Sequence, residues 1–301
     1  MIKRIHERLA RDKIKAKIIP VARANDLKNW IEEQHRRGII FEGVYKQYYP
    51  NIKFNPFDSL PGAKSIIVAA VPRPITKATF AHRGKEYNFY LPPTYSYNLE
   101  TTQDVMSMIK EIIAPAGYHI AVARLPEKML TVCSGLGEYG RNNISYVPGM
   151  GSFHQPVAYY TDMEPEEDSW REPAMMDVCL DCFACMLDCP SGAIPEGKFQ
   201  LDASRCIVFY HEVPGDFPAW LKTEWYEYLI GCMYCQRVCP VNEPFIDWVG
   251  EEEYFTEEET ALILNNAMSE EKYPETFAKM RRFGIENMKI IPRNLRILME
   301  R

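Results

Sequence analysis

The sequence predicts an α+β chain in three parts: an α/β layer over residues 1–168, a small cysteine-rich domain over 169–245, and a helical segment over 246–301. Three observations carry this prediction. Apolar runs of strand length alternate with amphipathic helical segments upstream of residue 168. Eight of the nine cysteines crowd between positions 179 and 239, and helical patterning then continues to the C-terminus.

Taken in order, residues 2–15 have helical spacing, and KIIPVA at 17–22 reads as a strand. NDLKNWIEEQHRR (25–37) opens on an Asn-Asp cap and repeats apolar side chains at Leu27, Trp30 and Ile31, as a helix requires. SIIVAAV (65–71) is a continuous apolar run of strand length, and TTQDVMSMIKEIIAPAG (101–117) is a capped helix stopped by Pro115 and Gly117. HIAVARL (119–125) and PVAYYTD (156–162) supply further strands. Near the C-terminus, Thr256 and Glu259 form a capping-box pattern ahead of a helix, and the EEE runs at 251 and 257 are expected on solvated helix faces.

The 301 residues, 47% of them apolar, can bury a large core without covalent staples. The N-terminal stretch has no apolar signal region, and no apolar run approaches the length of a membrane span, so a cytoplasmic chain is expected. In a reducing compartment nine cysteines point to metal or redox chemistry, and their odd number agrees with this. A net charge of −6 argues against a surface that grips nucleic acid everywhere, although a local basic patch is compatible with it.

Cys179, Cys182, Cys185 and Cys189, followed by Pro190, have the CxxCxxCxxxCP spacing of bacterial ferredoxins, in which the fourth thiolate reaches across to a second cluster. That spacing predicts a second motif, and GCMYCQRVCP at 231–240 supplies it with Cys232, Cys235 and Cys239. Pseudo-symmetry then gives one [4Fe–4S] cluster to Cys179, Cys182, Cys185 and Cys239, and the other to Cys189, Cys232 and Cys235. A regular repeat would place the eighth ligand at Leu229, so Cys206, seventeen residues after Cys189, is the candidate. Paired zinc sites are the alternative, but zinc usually draws on more widely separated CxxC pairs and often on His. Cys133 is expected to be a small buried side chain, with a reactive thiol as the alternative.

Between residues 129 and 162, Gly135, Gly137, Gly140, Gly149 and Gly151 fall close together. Such a stretch lets backbone approach a large ligand or take up positive φ; tight packing is the other explanation. GLGEYG has the wrong order for a dinucleotide fingerprint, and no strand immediately precedes it.

SGLGEYGRNN, GSFH, the CxxCxxCxxxCP run, RCIVFY and GCMYCQRVCPVN together resemble the cobalamin-dependent epoxyqueuosine reductases, and more distantly the reductive dehalogenases. The resemblance extends from NPFDSLPGAKSIIVAAV to IIPRNL. It implies an α/β cobalamin-binding-type domain, a ferredoxin-like double-cluster domain and C-terminal helices. It also implies a base-off cobalamin whose cobalt lies near the cluster of the first three cysteines and the last, with the second cluster passing electrons in. Ser134, Gly135, Gly137, Arg141, Asn142, Gly151 and Ser152 become candidate corrin contacts, and Lys53 falls where the family has a contacting Arg.

Two departures accompany the resemblance. The family's proton-donating aspartate corresponds to Ala121, and its GWIGK is replaced by GEYGRNN. Tyr139, with Glu138 and Arg141 beside it, is therefore a candidate general acid, and packing of its ring is the alternative. The helical repeat extension of many tRNA-acting members is not expected here, and the aromatic stretch YNFYLPPTYSYN (87–98) is expected either to cap a corrin or to pack in a core. The resulting expectation is an iron–sulfur oxidoreductase, a corrinoid-dependent reductase fed by a low-potential donor such as ferredoxin or flavodoxin. Its substrate would be a small molecule, a corrinoid protein or modified tRNA. The alternative is an electron-transfer or reductive-activator protein serving a corrinoid held elsewhere.

Overall fold

The computed structural model describes residues 1–95, 99–165, 167–197 and 200–301. In chain order its helices and strands begin with α1 (Ile2–Ala10), β1 (Lys15–Pro20), α2 (Arg23–Arg36), α3 (Glu42–Tyr48) and β2 (Ser65–Pro72). There follow β3 (Ile75–His82), β4 (Lys85–Leu91), α4 (Leu99–Ile113), β5 (Ile120–Val122), α5 (Glu127–Cys133), β6 (Glu138–Tyr139), β7 (Ser145–Tyr146) and β8 (His154–Thr161). The remainder comprises α6 (Ala184–Asp188), α7 (Ile207–Glu212), α8 (Tyr234–Arg237), β9 (Val249–Phe255), α9 (Glu257–Leu264), α10 (Pro274–Arg282) and α11 (Ile291–Met299).

The chain forms two compact units: residues 1–72, 100–183 and 195–201 in the first, and 73–99, 184–194 and 202–301 in the second. This differs from a linear division at 168 and 245. The segment 73–99 joins the C-terminal part because β3 pairs in parallel with β9.

The first unit is built on an antiparallel sheet of order β1-β2-β8-β5. Strand β2 is apolar from Ile66 to Val71, as a strand covered on both sides requires. Ile66, Val68 and Ala70 pack with Leu27 and Ile31 of α2 and with Met129, Leu130 and Cys133 of α5. Ile67 and Ala69 pack with Ile5 and Leu9 of α1 and with Val105, Ile109 and Ile113 of α4. The alternation continues across the register, where Ile66 faces Tyr160 and Ile67 faces Tyr159. Helix α4 ends as the sequence suggests, in a turn through Pro115 to Gly117 at φ +83.

The second unit holds the sheet β4-β3-β9 and a core shared with α9, α10 and α11. Strands β3 and β4 are joined by Arg83 and Gly84, both at positive φ, as a two-residue type I′ hairpin requires. Phe89 and Leu91 are buried in the core with Tyr87 and Tyr95 against it, so these members of the aromatic stretch serve packing. Ser96, Tyr97 and Asn98 lie outside the described residues.

The EEE run at 251 is a correction to the sequence reading: it lies on β9, where Glu252 pairs with Lys77 and Glu253 with Arg282. At 257 the run does open a helix, but Glu259 is tied to Lys279 at 3.0 Å and to Thr276 at 2.7 Å. The capping box is complete, with the Thr256 amide donating to Glu259 Oε2 at 2.8 Å and the Glu259 amide donating to Thr256 Oγ1 at 3.2 Å. No described helix is long and apolar enough to cross a membrane.

Thr256→Ala removes the acceptor for the Glu259 amide and half of the box. It should cost about 1 kcal/mol, seen as a lower urea midpoint at unchanged slope. An unchanged midpoint would show that α9 is held by packing alone.

Candidate iron–sulfur site and cofactor face

In the second unit the cysteine motifs form two short helices, α6 carrying Cys185 and α8 carrying Cys235, which pack on each other. Prolines follow both motifs, at Pro190 and Pro240, where a helix could not continue. After Pro190 the chain turns back, with the Gly192 amide donating to the Cys189 carbonyl at 3.1 Å and Gly192 at φ +64. Arg205, the neighbour of Cys206, donates to the Ser191 carbonyl at 2.8 Å and ties that turn to the Cys206 segment.

Cys189, Cys206, Cys232 and Cys235 act on one another through charge. Burial pushes the Cys206 thiol up to about 11, with the charges of Cys189 and Glu212 adding to the rise, and that of Cys232 up to about 12, with the charges of Cys206 and Cys189 adding. Cys235 is driven well above its ordinary value, first by burial and then by Cys232, Cys206, Cys185 and Cys189. In the opposite direction, the amides of Val208 and Phe209 favour the thiolate of Cys206, and that of Tyr234 favours the thiolate of Cys232. Buried thiols that repel one another once ionised need positive charge among them, which iron supplies, and an all-sulfur donor set suits it. The residues therefore fit a cluster. Among the described residues no three His, Cys, Asp or Glu side chains converge as they would around a single ion.

Two features enclose these thiols. Gly231 sits at φ +80, and a Cβ there would come within 2.5 Å of the Tyr95 ring, so only glycine allows the ring to close over the segment before Cys232. Tyr95 feels the charges of Cys206, Cys232 and Cys235, and its hydroxyl is held protonated first by burial. Opposite in sequence, Leu229 is fully buried in the apolar core, which explains why it cannot be the eighth ligand. His211 Nδ1 lies 2.9 Å from the Gly231 carbonyl, and burial lowers this imidazole to about 4, so it stays neutral and donates through Nδ1.

Cys179 and Cys182 belong to the first unit, as do the residues that the sequence assigns to a corrin. Helix α5 packs against the β6–β7 hairpin, and the glycines between them have particular uses. A Cβ at Gly137 would meet the Tyr146 carbonyl at 2.5 Å, and one at Gly140 would meet the Tyr146 ring at 2.5 Å. Both are accounted for by packing inside the hairpin. Gly135 and Gly151 have φ +76 and +56, and Val147 forms an isolated bridge with Gly151. Ser134 is buried and donates to the Thr131 carbonyl at 3.1 Å, while Asn142 donates to Tyr146 Oη at 2.9 Å.

Ser152 is fully buried, and Lys53 is exposed with its amide on the Arg124 carbonyl just before α5. Arg141 is buried and donates to the carbonyls of Cys179, Leu180 and Cys182. The polar side chains expected on a corrin are thus largely engaged inside the unit. On the cysteine loop the apolar side chains of Val178 and Leu180 are 54% and 59% exposed.

Tyr139 is only 6% exposed, and its hydroxyl is held protonated by burial and then by the neighbouring Cys133. Cys133 is itself buried, its thiol pushed up to about 12 mainly by burial. These placements support packing as the role of Tyr139. Glu138, across from Tyr146 on the same hairpin, is partly exposed.

A carboxyl the sequence reading missed is Glu127, the first residue of α5. Its side chain is partly exposed, and burial of the carboxyl pushes it up to about 8. It lies six residues from Ala121 on the same segment, and its only sequence signal is an acid at the start of a helix.

These features define a double-cluster iron–sulfur protein, and residues 178–242 match the family described as the 4Fe-4S double cluster binding domain. The chain is also similar to epoxyqueuosine reductases. It is 26% identical to that of Staphylococcus aureus over 227 residues, which are 72% of this chain and 58% of that one. With the Pseudomonas aeruginosa enzyme it shares 33% identity over 144 residues, 46% and 38% of the two chains. The match to the Bacillus cereus enzyme likewise covers 51% of that protein, so the chain spans between half and two thirds of the first such relatives.

The fold is that of solved epoxyqueuosine reductases. The Streptococcus thermophilus structure aligns with a TM-score of 0.69 at 20% identity, covering 99% of this chain and 80% of that one. The Bacillus subtilis enzyme, solved with its catalytic aspartate loop swung out of the active site, gives 0.63 at 20% identity and the same coverage.

Glu127→Gln provides a neutral isostere. The native carboxyl keeps its proton in the folded state up to about 8 but releases it near 4.5 when unfolded, so its contribution is most favourable below 4.5 and is lost as pH rises through 8. The variant should therefore gain stability at about pH 8.5, by up to about 5 kcal/mol, and little at about pH 4. Urea unfolding at the two pH values checks this, and parallel pH profiles would show that Glu127 ionises normally.

Proposed function

We propose that the protein is an iron–sulfur oxidoreductase, a corrinoid-dependent reductase akin to the epoxyqueuosine reductases. The observation that supports the reading is that Cys235 feels the charges of Cys232, Cys206 and Cys189, so Cys206 lies near the three cysteines that the motifs alone supply. The proposed ligands are Cys189, Cys206, Cys232 and Cys235 for one [4Fe–4S] cluster, and Cys179, Cys182, Cys185 and Cys239 for the other. When bound, the clusters supply single electrons and cobalamin, or another corrinoid, a reducing metal centre.

The chain's own residues provide the setting. Tyr95 closes over the segment before Cys232, while the Val208 and Phe209 amides favour the thiolate of Cys206. Glu127, on the same segment as Ala121 and pushed up to about 8 by burial, joins Tyr139 and Glu138 as a candidate acid. Lys53 and the backbone around Gly135, Gly137, Gly151 and Ser152 remain the candidate corrin contacts.

A related enzyme has been solved with an epoxyqueuosine-modified tRNA stem loop, which makes modified tRNA the first substrate to test, ahead of a small molecule or a corrinoid protein. A low-potential ferredoxin or flavodoxin is the proposed electron donor. The second reading, an activator that passes electrons to a corrinoid held elsewhere, is favoured by Ala121 at the aspartate position.

Anaerobic reconstitution with iron and sulfide should give about eight irons per chain, and added cobalamin should show a base-off electron spin resonance signal. Eight irons without corrinoid binding would reject the reductase reading in favour of the activator. Cys206→Ala should retain about four irons. Retention of all eight would remove Cys206 from the ligand set.

A further inference from the structure

The guanidinium of Arg141 occupies an unusual electrostatic position. It is 7% exposed, and among the described residues no carboxylate forms an ion pair with it. Its acceptors are all neutral. Nε donates to the Cys182 carbonyl at 2.9 Å, and Nη2 donates to the Leu180 carbonyl at 3.1 Å and to the Cys179 carbonyl. The Phe183 ring lies 4.5 Å from Cζ and covers one face of the group.

The side chain starts from a fixed backbone. Arg141 follows Gly140 in the β6–β7 turn, where the Asn143 amide donates to the Gly140 carbonyl at 2.9 Å and the Gly140 amide to the Ile144 carbonyl at 2.8 Å. Asn142 locks that turn by donating to Tyr146 Oη, and Asn143 completes it at φ +59. A rigid hairpin therefore projects a fork of donors onto the loop that carries two cysteines. Burying an unpaired cation is costly unless a negative group offsets it, and carbonyl dipoles do so only in part.

We propose that Arg141 is a positioning residue for Cys179 and Cys182 and supplies the counter-charge of the cluster they hold. The inference rests on the proposed assignment of those two cysteines as ligands. Fork-like donation to both cysteine carbonyls fixes the loop, a role that the planar guanidinium fills better than a lysine ammonium. Its charge favours the more negative, reduced state of a thiolate-ligated cluster and so makes that cluster easier to reduce. Arg141 would thus act on the cluster of the first three cysteines and not as a contact to an outside ligand.

Arg141→Gln keeps a donor but removes the charge, and Arg141→Lys keeps the charge but loses the fork. Each is reconstituted anaerobically, its iron counted, and its two clusters titrated by electron spin resonance and visible absorbance. With iron at the wild-type level, the glutamine variant should show one cluster shifted to more negative potential and the other unchanged, and the lysine variant a smaller shift. If only the glutamine variant loses half its iron, the same conclusion holds, with the charge needed for assembly. Unchanged potentials at full iron, equal shifts of both clusters, or equal effects of the two substitutions would overturn the counter-charge. Failure of the wild-type protein to take up two clusters would instead overturn the ligand assignment on which the inference rests.

Discussion

Keeping ionised sulfur inside protein is the constraint on which the cysteine region depends. A thiolate taken out of water is expensive, and four together are worse because each raises the others. Cys206, Cys232 and Cys235 show both effects, burial first and mutual charge second. Peptide geometry in this region answers that cost. Amides of residues 208, 209 and 234, at the starts of helices of only four to six residues, favour the ionised sulfurs. Proline after each motif and glycine at 192 and 231 then let the chain leave the sulfurs without crowding them.

The first unit solves a different problem, the rigid presentation of one helix and one small hairpin. Strand β2 is covered on both faces, so α5 is anchored through Met129, Leu130 and Cys133 to a sheet that cannot slip without moving α1 and α4 as well. The hairpin is locked from inside by the contact of Tyr146 with Gly137 and Gly140. Precision is thereby given to the two side chains on this frame that are proposed to carry chemistry, Glu127 and Arg141.

Much of this was legible in the sequence where the signal is local. The apolar run at 65–71, the stop at Pro115 and Gly117, and the box of Thr256 and Glu259 all correspond to observed elements. Leu229, where a regular repeat would put a ligand, is apolar and occupies the core, which leaves Cys206 as the proposed ligand. The β3–β4 hairpin was not recognised, since its turn is Arg-Gly in place of the usual Asn-Gly and its strands are rich in polar residues. Strand β9 was hidden for a related reason: three consecutive glutamates have low strand propensity, and only the basic partners Lys77 and Arg282, remote in sequence, make the strand acceptable. The glycine-rich stretch illustrates the limit of composition, because Gly137 and Gly140 relieve contacts with a residue of their own hairpin, which no count of glycines reveals.

The absence of an aspartate at position 121 also takes on a different meaning once α5 is seen. A proton donor must hold its proton at the working pH and yield it to a developing negative charge, which an ordinary exposed carboxyl does poorly because it is already ionised. Burial overcomes that limitation for Glu127, whereas it makes Tyr139 harder to deprotonate still. The same physical effect therefore sorts the two candidates in opposite directions. A loop can place an aspartate by moving, but an acid built into the first turn of a core helix is held in place by Met129 and Leu130 behind it. Such an acid would trade adaptability to the substrate for a proton held at a fixed point.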